Sequence, residues 1–238
     1  MNNRKIYLDH NATTPVHQEV FEAMLPFLKD EWGNPSSIHW AGRASRKAID
    51  EAREKVAALF NCTPLEIIFT SSGTESDNHA IKGLAYAKKD KGNHIITTKV
   101  EHPAVLNSCK HLAKEGFEVT YLNVDQEGMI DLEALKKSIM DKTILITVMY
   151  ANNETGVIFP MEDIALLAKE RGVAFHTDAV QAAGKLPVDL QKLGVDLFSI
   201  SGHKLYAPKG IGALIVRRGT RLVPLIHGGH HERNRRGG

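Results

Sequence analysis

A lysine that follows a run of strand-forming residues is the first candidate for covalent chemistry in this sequence. Residues 196–200 (DLFSI) favour a buried strand, and residues 201–204 (SGHK) come directly after it. The turn-forming residues 206–210 then exclude a continuing helix or central strand. Open α/β sheets bind their ligands at such strand ends. The pattern therefore predicts that Lys204 holds an aldehyde as a Schiff base, whereas the alternative is a solvated surface lysine.

A turn of small residues at 71–74 (SSGT) follows another predicted strand and opens a helix pattern. Backbone N–H groups at a helix start attract anions, Gly73 permits close approach of a ligand, and Ser72 and Thr74 add hydroxyl donors. No Gly-Lys-Ser/Thr sequence follows, which excludes a nucleotide-binding P-loop. The alternative interpretation is a capping box that only begins the helix.

Polar side chains also follow three other predicted strands. Asp178 comes after residues 173–176 and before an expected helix of small residues, so it is either a helix N-cap or the partner of a protonated pyridine nitrogen. Asn153 lies in the turn 152–156 (NNETG), and His102 supplies an aromatic imidazole after the strand at 94–98. Together these strand ends suit an aromatic aldehyde that bears a phosphate.

Strand-like and helix-like segments alternate along the chain, which predicts an α/β fold with a three-layer αβα arrangement and a mostly parallel, seven-stranded sheet. Most of the predicted strands are continuous apolar or β-branched runs, as expected where helices cover both faces of a sheet. The seven predicted strands are 67–70, 94–97, 119–122, 144–148, 173–176, 197–200 and 212–216. The predicted helices include 18–28, 44–60, 131–137 with Asp131 as N-cap, and 164–171.

The bulk composition indicates an ordinary globular chain. Of 238 residues, 42% are hydrophobic and 24% charged, and the formal net charge is +2, which gives no argument for nucleic acid or a membrane surface as a partner. No apolar run approaches the roughly 18 residues that a membrane span needs. The N-terminal residues carry no apolar signal core, so we expect a cytoplasmic location.

The cysteines and the C-terminal histidines carry no prediction of chemistry. Cys62 and Cys109 are far apart and form no disulfide framework. Cys62 has no His or Lys beside it in the sequence, and Cys109 lies in a helix-like segment that predicts a buried, inert thiol. His227, His230 and His231 lack supporting ligands, so no metal site is predicted.

Six motifs together resemble the cysteine desulfurases of the NifS/IscS group, which are class V, fold type I enzymes that depend on pyridoxal 5'-phosphate (PLP). The match runs from about residue 5 to the end, and the lysine motif and the NNETG turn are its most specific parts. The six motifs lie at residues 7–15, 72–76, 101–105, 152–156, 176–181 and 201–204.

The resemblance implies a role for each matching residue. It implies that Lys204 and His102 are catalytic, with Lys204 attached to the cofactor and His102 stacked on its ring, and that Asp178 pairs with the ring nitrogen. It further implies that Asn153 and Gln181 bind the phenolic oxygen. The remaining implied contacts are Gly73, Thr74, Ser201 and His203 with the phosphate, and Asn11 and Ala12 with the substrate.

The family pattern continues beyond residue 238, which places the carboxylate-binding arginine, the persulfide-forming cysteine and a C-terminal small domain outside this sequence. We therefore expect an N-terminal arm at 1–15 and a PLP-binding large domain at 16–238. The implied substrate is L-cysteine, and the implied partners are a second copy in a homodimer and a scaffold protein that accepts sulfur for iron–sulfur clusters. The alternatives are a PLP-binding module without desulfurase activity, or a related class V enzyme such as a selenocysteine lyase or an aminotransferase.

Overall fold

A computed structural model describes residues 5–238, and seven strands within them form one sheet. The strands are β1 (Ile67–Thr70), β2 (His94–Thr98), β3 (Glu118–Leu122), β4 (Thr143–Thr147), β5 (Ala174–Asp178), β6 (Leu197–Ser201) and β7 (Gly212–Val216). Their spatial order is β1-β7-β6-β5-β4-β2-β3. Each predicted strand is present, with bounds that differ by at most two residues.

Helices cover both faces of this sheet, which confirms the predicted three-layer arrangement. They are α1 (Gln18–Lys29), α2 (Trp40–Leu59), α3 (Gly73–Ala87), α4 (Pro103–Lys114), α5 (Leu132–Ser138), α6 (Met161–Glu170) and α7 (Leu190–Leu193). One core cluster packs α2, α5, α6 and α7 on one face, and a second packs α3 and α4 on the other. The neighbouring residues Leu145 and Ile146 of β4 enter opposite clusters, since side chains alternate along a strand.

The sheet is parallel except at β7, which pairs antiparallel with both β1 and β6. Only residues 202–211 connect β6 to β7, and this connection is too short for the helical crossover that a parallel neighbour requires. This connection contains Lys204 just after the end of β6, and it turns the chain back along β6.

One predicted helix is absent from the structure, and one predicted helix cap is present. The prediction of a helix after Asp178 is wrong: residues 180–185 form turns, and Gly184 adopts a left-handed φ of +70° that reverses the chain. The predicted cap is confirmed, because the Asp131 carboxylate accepts hydrogen bonds from the N–H groups of Glu133 and Ala134 at the start of α5.

The N-terminal segment reaches the loop that carries the lysine. Residues 1–4 of the predicted arm lie outside the described residues, and residues 5–17 contain no helix or strand. Thr14 is buried, its N–H and its hydroxyl both donate to the carbonyl of His203 at 2.9 Å, and its Oγ1 accepts from the N–H of Tyr206. The arm is therefore joined to the connection between β6 and β7.

The C-terminal segment, residues 228–238, lies along the outer edge of β1. The Glu232 carboxylate binds both terminal nitrogens of Arg53 at 2.7 Å and also accepts from the N–H of Phe69 at 2.9 Å. Arg53 and Arg235 both donate to the carbonyl of Ile67. Side chains thus form hydrogen bonds with the backbone groups of β1 that face away from the sheet.

Candidate active site

The carboxyl ends of the parallel strands open into a crevice of about 460 Å³. It lies where polar strand ends were predicted to meet, after β1, β2, β4, β5 and β6. All eleven candidate residues line it: Asn11, Ala12, Gly73, Thr74, His102, Asn153, Asp178, Gln181, Ser201, His203 and Lys204. Sequence positions as far apart as 11 and 204 therefore belong to one site.

The start of α3 shows that the two interpretations of its small-residue turn are compatible. Ser72 is the N-cap, and its Oγ accepts from the N–H of Glu75 at 3.1 Å. Gly73 begins the helix beside the crevice, where an added Cβ would lie 2.8 Å from Cγ2 of Val180. The first N–H groups of a helix have no intrahelical acceptor, so this capped turn can also receive an anion.

The Glu75 side chain ties the same turn to the C-terminal segment. Its carboxylate accepts from the N–H and the hydroxyl of Ser71, and it binds the Arg236 guanidinium at 2.8 Å. These bonds lower the pKa of Glu75 despite its partial burial, which by itself raises that pKa. The small-residue turn at the start of α3 is therefore bonded to the C-terminal segment through Glu75.

Asp178 forms part of the floor of the crevice as the last residue of β5. It is buried, and its Oδ1 accepts from the N–H of Val180 at 3.0 Å. Burial raises the pKa of its carboxyl, while the hydrogen bond from Val180 and the charges of His102 and Lys204 lower it. A carboxylate in this position can hold a proton on a ring nitrogen that enters the crevice.

Asp77 also lines the crevice, and the sequence analysis missed it. It is 1% exposed, and single side-chain atoms of Asp77, His102 and Asp178 all lie within 4.8 Å of one another. Burial, with the negative charge of Asp178 as a further cause, raises its pKa well above the usual range. The sequence does contain a signal that Asp77 is buried. Asp77 lies four residues after Gly73 and four before the buried Ile81, so the three residues share one face of α3.

His102 begins α4 at the end of the loop after β2. Its Nδ1 accepts from the N–H of Ala104 at 3.1 Å, which fixes the ring at the mouth of the crevice. The adjacent Glu101 is buried, and its Oε1 accepts from the Thr98 hydroxyl at 2.8 Å and from the N–H of Met149 at 3.1 Å. Burial raises the pKa of Glu101 to about 8, so this side chain fastens the loop largely as a neutral acid at pH 7.

Lys204 lies in the short helical turn Gly202–Lys204 that follows β6. Its Nζ donates to the carbonyl of Asn11 and, at 2.8 Å, to the carbonyl of Ala12. Partial burial, followed by the charge of Lys185, lowers the pKa of the Lys204 amine. A lowered pKa favours the neutral amine, which is the form that attacks an aldehyde.

The other candidate residues contact neighbours along the rim. Gln181 donates to the carbonyl of Asn11 at 3.0 Å, Asn153 donates to Glu154 at 2.7 Å, and Nδ1 of His203 lies 3.1 Å from the Thr13 hydroxyl. The contacts of Gln181 and His203 join loops to the distant N-terminal arm, whereas that of Asn153 stays within its own turn. They also show which hydrogen-bonding groups an occupant of the crevice would meet.

Both cysteines lie outside this crevice. Burial raises the pKa of Cys62 to about 11 and that of Cys109 to about 12, which opposes formation of a reactive thiolate. Of the C-terminal histidines, His230 Nδ1 contacts Asn234 at 2.6 Å and His231 Nε2 contacts Ser36 at 3.1 Å.

Comparisons with known proteins agree with this geometry. The family model described as aminotransferase class-V matches residues 6–235. A cysteine desulfurase IscS of Dictyoglomus turgidum is 58% identical over 99% of this chain, and one of Methanosarcina thermophila is 54% identical over 99%. The chain spans about 60% of the length of the first of these curated relatives and 58% of the second.

Solved structures have the same fold. One described as SspA in complex with cysteine superposes with a TM-score of 0.95 at 44% identity, covering 98% of this chain and 68% of that one. A NifS-like protein superposes with a TM-score of 0.96 at 43% identity, covering 99% and 65%. Within residues 5–238, no helix combines the length and the apolar character that a membrane crossing needs. The crevice, the sheet order and these matches together identify the chain as a member of the class-V aminotransferase family, whose enzymes depend on PLP.

Proposed function

We propose that this chain forms the cofactor-binding part of a cysteine desulfurase, which converts L-cysteine to L-alanine and passes the sulfur on. The observation that carries the proposal is the meeting of Lys204, Asp178 and the start of α3 in one crevice. The identity to relatives named cysteine desulfurase supports the substrate class.

The residues of the crevice fit PLP on physical grounds. Asp178 is a buried carboxylate suited to a protonated ring nitrogen, and Gly73 leaves room at a helix start for a phosphate. Lys204 supplies an amine with a lowered pKa in the same crevice. When bound, PLP supplies an aldehyde carbon and a ring that accepts the electron pair released at the substrate Cα.

Each residue of the chain then has a proposed task. Lys204 binds the cofactor covalently and afterwards takes the proton from the substrate Cα and returns it. Asp178 keeps a proton on the ring nitrogen, and His102 lies against the ring face. The proposed polar contacts are Asn153 and Gln181 with the phenolic oxygen, Gly73, Thr74, Ser201 and His203 with the phosphate, and Asn11 and Ala12 with the substrate.

The sulfur acceptor in this proposal is a cysteine thiolate other than Cys62 or Cys109, because both of these lie outside the crevice and have raised pKa values. Their position also favours a second candidate function, a PLP-binding module that performs no desulfuration by itself. Alanine formation after addition of L-cysteine distinguishes the two functions.

Absorbance spectroscopy tests the cofactor assignment directly. The purified chain, mixed with PLP and then freed of unbound PLP, should show a visible band that Lys204→Ala abolishes, since Lys204 is the lysine that lines the crevice. Lys209→Ala is the matched control, because Lys209 is exposed and lies outside the crevice. A band that survives in Lys204→Ala would contradict the assignment.

A homodimer is the proposed assembly, with a cytoplasmic location and a sulfur-accepting scaffold protein as a further partner. Apolar side chains on and near α1 support an interface there, because α1 has no buried residue and Phe21, Trp32 and Trp40 are 49%, 79% and 78% exposed. Light scattering during gel filtration should give the mass of two chains. A monomer at micromolar concentration would contradict the dimer.

A further inference from the structure

Two buried acids lie together beneath the crevice. Asp77 and Asp178 are 1% and 6% exposed, and a carboxyl oxygen of Asp77 lies within 4.8 Å of one of Asp178. Two carboxylates at this distance and burial cannot both keep a negative charge, because each raises the pKa of the other. The pair therefore holds a proton. Whether Asp77 or Asp178 carries this proton decides which charge the crevice presents to a ligand.

His176 does not compensate the charge of Asp77. Its Nδ1 bonds to the Thr147 hydroxyl at 2.8 Å and its Nε2 to the Ser199 hydroxyl at 3.0 Å. Nε2 lies 3.6 Å from Oδ1 of Asp77, and among the described residues that Oδ1 has no hydrogen-bond partner. Complete burial lowers the pKa of His176 to about 3, so the imidazole stays neutral at pH 7.

The remaining charges around the pair favour a negative charge on Asp178. His102 and Lys204 face Asp178 and lower its pKa, whereas Glu101 acts on Asp77 and raises its pKa. Because burial raises the pKa of Glu101 to about 8, Glu101 adds little charge at pH 7, and the asymmetry of the pair there comes from the groups that act on Asp178. The basic side chains His102 and Lys204 thus act on Asp178, the member of the pair that faces a ligand in the crevice.

We propose that Asp77 carries the shared proton and donates a hydrogen bond to Asp178, so that the pair presents one negative charge to a ring nitrogen in the crevice. Asp77 is then a positioning residue, which acts on the cofactor through Asp178. Its effect on PLP rests on the proposed function, whereas the shared proton can be observed without any cofactor.

Carbon NMR of the chain labelled at the aspartate carboxyl carbon tests the proton, and this label leaves Glu101 silent. At pH 7 we expect one signal in the range of a protonated carboxyl. Asp77→Asn should remove it, and the exposed Asp141→Asn should leave it. Asp178→Asn should lower the titration midpoint of Asp77 by at least about one pH unit, since it removes the neighbouring charge. Only carboxylate signals at pH 7, or a protonated signal that persists in Asp77→Asn, would overturn the proposal.

PLP affinity tests the positioning role with a conservative variant. Asparagine can still donate to Asp178, so Asp77→Asn should bind PLP within about threefold of the unaltered chain, whereas Asp77→Ala should bind at least about tenfold more weakly. If Asp77 acted as an anion, asparagine would be as harmful as alanine, which would overturn the role. Urea unfolding of both variants checks that the difference is not a loss of fold.

The two proposals fail in different ways. A protonated Asp77 signal in a chain that forms no Lys204-dependent band would contradict PLP binding and leave the acid pair established. A normal band with fully ionised aspartates would contradict the acid pair and leave the cofactor assignment intact.

Discussion

The floor of the crevice consists of Asp77 and Asp178, and His176 lies behind it, 3.6 Å from Asp77. These three residues are at most 6% exposed, whereas the rim carries exposed or half-buried groups such as Lys204 and Gln181. The floor residues belong to a strand and a helix, and buried neighbours hold them. The rim residues instead bond to backbone carbonyls of the N-terminal arm. A ligand therefore meets a preformed floor, but it must replace contacts that the rim makes with itself.

The largest expected difference between the two regions is in stability. His176→Ala should lower the free energy of unfolding of the cofactor-free chain by about 3 kcal/mol, because it leaves a cavity and two unpaired hydroxyls. Gln181→Ala at the rim should change it by no more than about 0.5 kcal/mol. Urea unfolding followed by circular dichroism measures both values. Equal losses would remove the distinction between floor and rim.

A smaller expected difference is in the pH dependence of stability, and Glu101, which lies beside the floor, tests it. The pKa of Glu101 in the folded chain, about 8, lies above its ordinary value of 4.5, so the unfolded chain releases this proton first. Stability should therefore fall as pH rises through this window and level off above it. Glu101→Gln should reduce the loss of unfolding free energy across this pH range by about 2 kcal/mol. Substitution of the exposed Glu127 by Gln should leave that loss unchanged. Parallel slopes for Glu101→Gln and the unaltered chain would show that Glu101 ionises normally.

The smallest effect is expected where the arm meets the lysine loop. Thr14→Val removes the hydroxyl that bonds to His203 and Tyr206 and should cost about 1 kcal/mol. Hydrogen exchange should then accelerate at the N–H of His17, which donates to Tyr206, with no change at β4. Faster exchange throughout the sheet would mean that the arm supports the whole fold rather than the rim alone.

The strands and most of the crevice residues could be predicted from the sequence, because continuous apolar runs and polar turns are local signals. Lys204, Asp178 and His102 could be selected since each lies within a few residues of the end of a predicted strand. Asp77 could not be selected in this way, because it lies inside a helix. Its charge state depends on Asp178, which is about a hundred residues further along the chain. Charge states that arise from burial require the packed structure.

Local preference was misleading after Asp178 and gave no prediction for the C-terminal segment. The alanines after Asp178 favour a helix by propensity, but the chain must turn at Gly184 to leave the crevice. In the C-terminal segment, Glu232, Arg233 and Asn234 adopt positive φ values that no composition rule predicts. Their conformation depends on the bonds that Glu232 makes with Arg53 and with Phe69 of β1.

Those bonds to β1 have a consequence for self-association. A sheet edge with unpaired backbone groups can recruit a strand from another molecule and thereby seed aggregates. At β1 the carbonyl of Ile67 is already engaged by two guanidinium groups, and the N–H of Phe69 by a carboxylate. An incoming strand would have to displace a buried ion pair to dock there, so this border of the sheet resists amyloid-like growth.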